Sequence, residues 1–152
     1  MSNETNEKPT FVFLGGTCGK NDWRKALIKR LVECGVDPAF LFDPVVPVWN
    51  DEAAANEEEA KTKTTHFLFY LANPKEEGNS LSAYSMQEAT MALYDNLDST
   101  VVVYDTEGMP AHATKAMNQS LKILKKRFPT ANIFATVSEA EDWLVKNLVV
   151  RS

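Results

Sequence analysis

His66-Phe67-Leu68-Phe69-Tyr70-Leu71-Ala72 decides the fold of this chain. The run is near-continuously apolar, too short for a core helix and without the alternation of a strand that keeps one face in water. It therefore predicts a central strand covered on both faces, as in a parallel sheet. The polar, glycine-containing segment Asn73 to Ser80 follows as a loop, and a helix is expected from about Ser82 to Asn96.

The same alternation extends in both directions. Upstream, Thr10 to Leu14 reads as a buried strand, with Gly15 and Gly16 forming a turn after it. From Asp22, the positions Trp23, Ala26, Leu27, Leu31 and Val32 recur at helical spacing until Gly35. Ala39 to Phe42 is a second short strand, closed by Asp43 and Pro44 and followed by a loop through Pro47 and Trp49. Asp51 to Thr64 is rich in Ala, Glu and Lys and poor in large apolar residues, which predicts an exposed helix with a small core contribution. Downstream, Thr100 to Tyr104 is a β-branched fourth strand, His112 to Phe128 an amphipathic helix and Asn132 to Ala135 a fifth strand. Ser138, with Glu141 at the capping-box position, is expected to start a last helix through Leu148. Strands alternating with helices predict an α/β domain: a flavodoxin-like, doubly wound, five-stranded parallel sheet in the order 2-1-3-4-5.

With 152 residues, 44% of them hydrophobic and 24% charged, the chain fits one domain over residues 10–152, preceded by a polar, flexible tail over residues 1–9. A formal charge of -5 disfavours a nucleic-acid-binding face. The cluster Lys122, Lys125, Lys126 and Arg127 falls late in a helix, where cations suit the macrodipole. Cys18 and Cys34 form no CxxC pair, and His66 and His112 lie at no metal-ligand spacing from them, so no metal site is expected. His66, opening a central strand, reads as a structural histidine. The polar N-terminus and the lack of a long apolar run predict no membrane span, with the cytoplasm as the default compartment.

In an open parallel sheet, ligands bind at the carboxyl ends of the strands, where strand order reverses. Gly15-Gly16-Thr17-Cys18, Asp43 to Asp51, Asn73 to Ser80 and the helix start carrying Ser85 and Glu88 meet there. A phosphate loop is excluded by spacing, because Gly15 is one position too close to Lys20 and Asn21 replaces the required Ser or Thr. The two glycines then serve either a ligand's close approach or a tight turn. Ser85-Met86-Gln87-Glu88 has the S-x-x-E spacing of a capping box. The alternative is a carboxylate near the positive end of a helix, suited to act as a nucleophile. Trp49 and Tyr84 are candidate aromatic walls for a flat heterocycle; the alternative is that they are packing residues, the reading that suits Tyr84 better.

Phe13-Leu14-Gly15-Gly16-Thr17, Asp22-Trp23-Arg24, Phe42-Asp43-Pro44-Val45-Val46-Pro47-Val48-Trp49 and Ser85-Met86-Gln87-Glu88 together resemble the divergent branch of the nucleoside 2-deoxyribosyltransferases. The resemblance spans roughly residues 11 to 105. It implies a flavodoxin-like enzyme, without a cofactor, that cleaves the N-glycosidic bond of a 2'-deoxynucleoside and transfers the sugar to another base. Glu88 matches the nucleophilic glutamate, with Asp43 or Asp51 as proton donor to the leaving base. Gly15, Gly16, Thr17, Trp49, Asn73 and Ser85 would line the substrate site. The implied partners are a nucleoside or nucleotide, a free nucleobase and further copies of the chain in a homo-oligomer. The sequence departs from the pattern at Thr65 and His66, before the third strand, and at Ser82, where acidic residues are usual. Hydrolysis of the glycosidic bond, or binding without catalysis, are the alternatives.

Overall fold

Five parallel strands make one sheet in the order β2-β1-β3-β4-β5 in a computed structural model that describes residues 11–17, 23–45, 50–73 and 83–148. In chain order the elements are β1 (Val12–Gly16), α1 (Trp23–Glu33), β2 (Leu41–Phe42), α2 (Asp51–Lys63), β3 (His66–Leu71), α3 (Ala83–Asp95), β4 (Thr100–Tyr104), α4 (Ala111–Arg127), β5 (Asn132–Phe134) and α5 (Val137–Leu148). This is the flavodoxin-like α/β fold expected from the alternation of apolar runs. β3 is buried along its whole length between β1 and β4, because its odd and even side chains enter two different cores.

One core packs Val12, Leu14, Leu68, Tyr70, Val101 and Val103 of the sheet against Trp23, Leu27 and Leu31 of α1 and Ala140, Leu144 and Leu148 of α5. Arg30 ties these two helices at their surface, donating to Glu141 at 2.7 Å and Asp142 at 2.6 Å. The other core packs Phe13, Phe69, Leu71 and Val102 against α3 and α4 through Ala89, Leu93, Met117 and Leu124. α2 joins α3 and α4 on this second face, with the Lys61 ammonium 5.6 Å from the centre of the Phe13 ring.

Three local expectations change. Gly15 and Gly16 belong to β1 instead of a turn after it, paired with Phe69 and Tyr70. The second strand is shorter than Ala39 to Phe42 because Pro38–Phe40 winds into a 3-10 turn, with the Asp37 carboxylate accepting from the Ala39 N–H at 2.9 Å. The last helix is capped by Thr136 rather than Ser138: the Glu139 N–H donates to Thr136 Oγ1, and the Thr136 N–H donates back to Glu139 Oε1, both at 3.2 Å. This is a capping box two residues earlier than expected, which leaves Glu141 to pair with Arg30. The tail over residues 1–9 lies outside the described residues. Among those described, no helix is long and apolar enough to cross a membrane.

Candidate functional site

β2 pairs with β1 only at Val12 and Phe13, so the β1 carbonyls beyond that point have no strand on their outer side. Successive carbonyls of a strand point to opposite edges, and those of Leu14 and Gly16 share the uncovered one. Arg24, in the first turn of α1, takes the place of the missing strand. Its Nε donates to the Leu14 carbonyl at 2.9 Å, one terminal nitrogen to Gly16 at 3.1 Å and the other to Thr17 at 3.0 Å. Trp23 adds an indole N–H to the Thr17 carbonyl at 2.9 Å. Asp43, immediately after β2, lies 3.6 Å from Arg24 Nε and accepts from the Val45 N–H at 2.9 Å. The Gly-Gly-Thr, Trp-Arg and Phe-Asp-Pro motifs are thus one assembly that fixes the outlet of β1.

The glycines and Thr17 are explained by β3. A Cβ on Gly15 would come within 2.7 Å of the Phe69 ring, and one on Gly16 would strike the Tyr70 backbone, where φ is also +120°. Thr17 accepts from the Ala72 N–H at 2.8 Å and donates to the Ala72 carbonyl at 2.9 Å, continuing the strand pairing through a side chain. The geometry displays a use that the sequence did not offer: in place of the expected tight turn, the glycines let β1 pack closely against β3.

A second group of polar residues lies between α2 and α3. Glu88 is buried to 10% side-chain exposure, and its Oε2 is 2.5 Å from Lys61 Nζ of α2. Lys61 also donates to the Tyr84 hydroxyl at 3.3 Å. Glu57, one turn before Lys61, is 6% exposed and interacts electrostatically with Lys61, Glu88 and Tyr84. Burial pushes the Glu57 carboxyl above its ordinary range; Lys61 opposes this, and the nearby Glu88 charge adds to it. Burial alone would lower the Lys61 ammonium, but its contact with Glu88, and then with Tyr84, outweighs burial and raises it. Among the described residues, Glu88 Oε2 meets the Lys61 ammonium and no further donor.

The capping-box reading of Ser85 and Glu88 does not survive. Ser85 is a buried residue inside α3, and Glu88 is the sixth residue of that helix. It lies about 7 Å of helical rise from the first residue, where the macrodipole has largely faded. Lys61, not the helix end, supplies the positive charge. Asp51 is exposed in the first turn of α2, about 15 Å of helical rise before Lys61, so the fold does not join it to Glu88. Asn73 donates to the Gly108 carbonyl at 2.7 Å and ties the outlet of β3 to the loop before α4. Trp49, Cys18 and Ser82 lie outside the described residues. Thr65 and His66, where the sequence departs from the deoxyribosyltransferase pattern, stand at the opposite end of β3 from Ala72, with His66 edge-on to Trp143 of α5 at 6.2 Å. That departure is remote from the strand outlets.

Sequence reading passed over Lys61 and Glu57. The available signal was their i, i+4 spacing on a helix with no large apolar stripe, because such a helix must dock by something other than hydrophobic burial. Among the described residues, no group of three or more His, Cys, Asp or Glu side chains is arranged to hold a metal ion. Comparison with protein-family models and with curated proteins finds no match to this chain.

Proposed function

We propose that the chain cleaves the N-glycosidic bond of a 2'-deoxynucleoside and transfers the sugar to a second base through Glu88. The observation that carries this reading is the Glu88 carboxylate: nearly buried, its Oε2 2.5 Å from a single ammonium and with no further donor among the described residues. Buried polar atoms are nearly always satisfied, and the exceptions gather at reactive sites.

In the first step a Glu88 oxygen attacks the anomeric carbon, the carbon–nitrogen bond breaks, and its electron pair leaves with the base, which takes up a proton. A glycosyl ester on Glu88 results. In the second step a ring nitrogen of the incoming base attacks the same carbon, Glu88 leaves as carboxylate, and the new base releases a proton. Two displacements retain the configuration, the logic of a retaining glycosidase with a base in place of water. Asp43 is engaged by Arg24 and Val45, and Asp51 is remote from Lys61 along α2, so the proton is assigned to Glu57. Its burial favours the neutral acid beside Glu88, a pairing of two carboxyl groups in unequal environments that suits acid and nucleophile roles. Trp49, Asn73 and Ser85 remain the proposed substrate lining, with Gly15, Gly16 and Thr17 as the β1 end that packs on β3 behind it, and the proposed setting is a cytoplasmic homo-oligomer.

The Lys61 contact favours a second reading, in which Glu88 only docks α2 and the domain binds a nucleoside without turnover. One assay separates the readings: purified protein is mixed with a deoxynucleoside and a different free base, and exchanged nucleoside is measured by chromatography. Transfer requires exchange by the native chain and none by Glu88→Ala. Free sugar formed without acceptor would mean hydrolysis, and calorimetric binding without either product would mean a binding module.

A further inference from the structure

Lys61 is the hub of the charged group between α2 and α3. Its neighbour Ala60 and Glu57, one turn earlier, are the buried residues of α2. The ammonium lies 5.6 Å from the centre of the Phe13 ring of β1 and 5.4 Å from that of Tyr84. α3 presents to it Glu88 Oε2 at 2.5 Å and the Tyr84 hydroxyl at 3.3 Å. α2 itself presents Glu58 Oε2 at 3.4 Å and the Glu57 carboxyl. The two ion pairs are not equal. The Glu58 side chain is 71% exposed and that of Glu88 10%, so water screens the first pair and leaves Glu88 as the charge that Lys61 chiefly answers.

The chain uses its arginines otherwise. Arg24 spreads its donors over three carbonyls and Arg30 over two carboxylates, as a planar fork of donors allows. An ammonium is a point charge without that fork, and Lys61 makes its close contact with Glu88 at Oε2, a buried atom. Holding that oxygen fixes the plane of the carboxylate and leaves Oε1 for another use. The arrangement aims a carboxylate rather than saturating it.

We infer that Lys61 is the positioning residue of the Glu88 carboxylate: its contact at Oε2 turns Oε1 toward the anomeric carbon, and its charge assists departure of the carboxylate in the second displacement. This rests on the reading of Glu88 as the nucleophile. In the first displacement the negative charge of Glu88 is lost as the bond from Oε1 to the anomeric carbon forms, so a cation beside it gives that step no help. In the second, a ring nitrogen of the incoming base attacks the carbon and the bond to Oε1 breaks. Its electron pair returns to the carboxylate, and the base passes its ring proton to Glu57. Negative charge now develops beside Lys61, where a fixed cation lowers the barrier. Lys61 therefore keeps the glycosyl ester short-lived.

Rapid-quench measurement of first-base release by the full chain, with a saturating second base, tests this. Lys61→Met and Lys61→Gln remove the charge, the latter keeping a donor for Oε2, and Lys61→Arg retains it. The native chain and Lys61→Arg are expected to release base without a burst. Both neutral variants are expected to release a burst of about one base per chain, then continue at a rate at least about tenfold below native. Acid quench during the burst should find the sugar on the Glu88 peptide. A lysine that only docks α2 would behave differently, because its loss lowers the rate without accumulating ester. Folded neutral variants that release base without a burst or keep the native rate, a burst from Lys61→Arg, or failure of both neutral variants to fold would overturn the inference and leave Glu88 as nucleophile. No exchange by the native chain would overturn both.

Discussion

Arg24 and Glu88 are both buried charges, and the fold treats them in opposite ways. Arg24 donates to three backbone carbonyls and lies beside Asp43. Its hydrogen bonds define the end of β1 and the direction in which the chain leaves the sheet. Glu88 Oε2 has one close cation and, among the described residues, no further donor. A group whose donors are taken up by structure has little left for a ligand, whereas a buried carboxylate with capacity unused is costly to the fold and therefore calls for another use. The difference separates scaffold from chemistry within one domain.

The sharpest break of this contrast is Arg24→Met. It leaves the carbonyls of Leu14, Gly16 and Thr17 without their donor, and removal of one partner from a buried charged network costs about 3–5 kcal/mol. Thermal denaturation is expected to show a fall of roughly 10 °C or more for a chain of this size. A shift of one or two degrees would mean that the clamp is dispensable.

Glu88→Gln probes the other side. Under the functional account stability changes by no more than about 1 kcal/mol in either direction, because a poorly satisfied carboxylate contributes little. Base exchange falls by a factor of roughly a thousand or more, as for other covalent nucleophiles. If chemical denaturation shows a loss as large as that of Arg24→Met, Glu88 is a structural ion-pair partner and the contrast disappears.

Glu57→Gln sharpens the comparison through pH. Burial raises the Glu57 carboxyl in the folded state, so between its unfolded and folded pKa the native chain binds that proton more tightly than the unfolded chain. The stability linked to that proton is complete below the unfolded pKa, roughly 4.3 for a glutamate, and is lost as pH rises through the folded value. The neutral Gln variant lacks this loss. Denaturation midpoints measured from pH 4 to pH 8 should show the variant gaining on the native chain as pH increases, and parallel curves would remove Glu57 as the proton carrier. The smallest effect is expected at a remote control, Thr136→Ala, which removes the cap of α5 and costs about 1 kcal/mol without touching exchange.

Most of the fold was legible because it rests on burial patterns. The run from His66 to Ala72 is apolar on both faces, and the structure buries both. Local chemistry was harder to place: Thr136 and Ser138 both offer a cap followed by a Glu three residues on, and Arg30 draws Glu141 away from the second of them. Tertiary competition of this kind leaves no trace in local sequence. The glycines show the same limit, since their necessity comes from Phe69 and Tyr70, more than fifty residues away. Glu88 was legible as a candidate through its motif. Lys61 and Glu57 were not, because charged residues on an apolar-poor helix read as a solvated face until the neighbouring helix is in place.

The most direct test of the central claim is to mix the protein with a 2'-deoxynucleoside in the absence of acceptor, quench in acid, and examine the peptide containing Glu88 by mass spectrometry. A deoxyribosyl group esterified to Glu88, absent from Glu88→Gln and removed by adding a free base, is the expected result. An unmodified Glu88 peptide under conditions where exchange is observed would contradict the account.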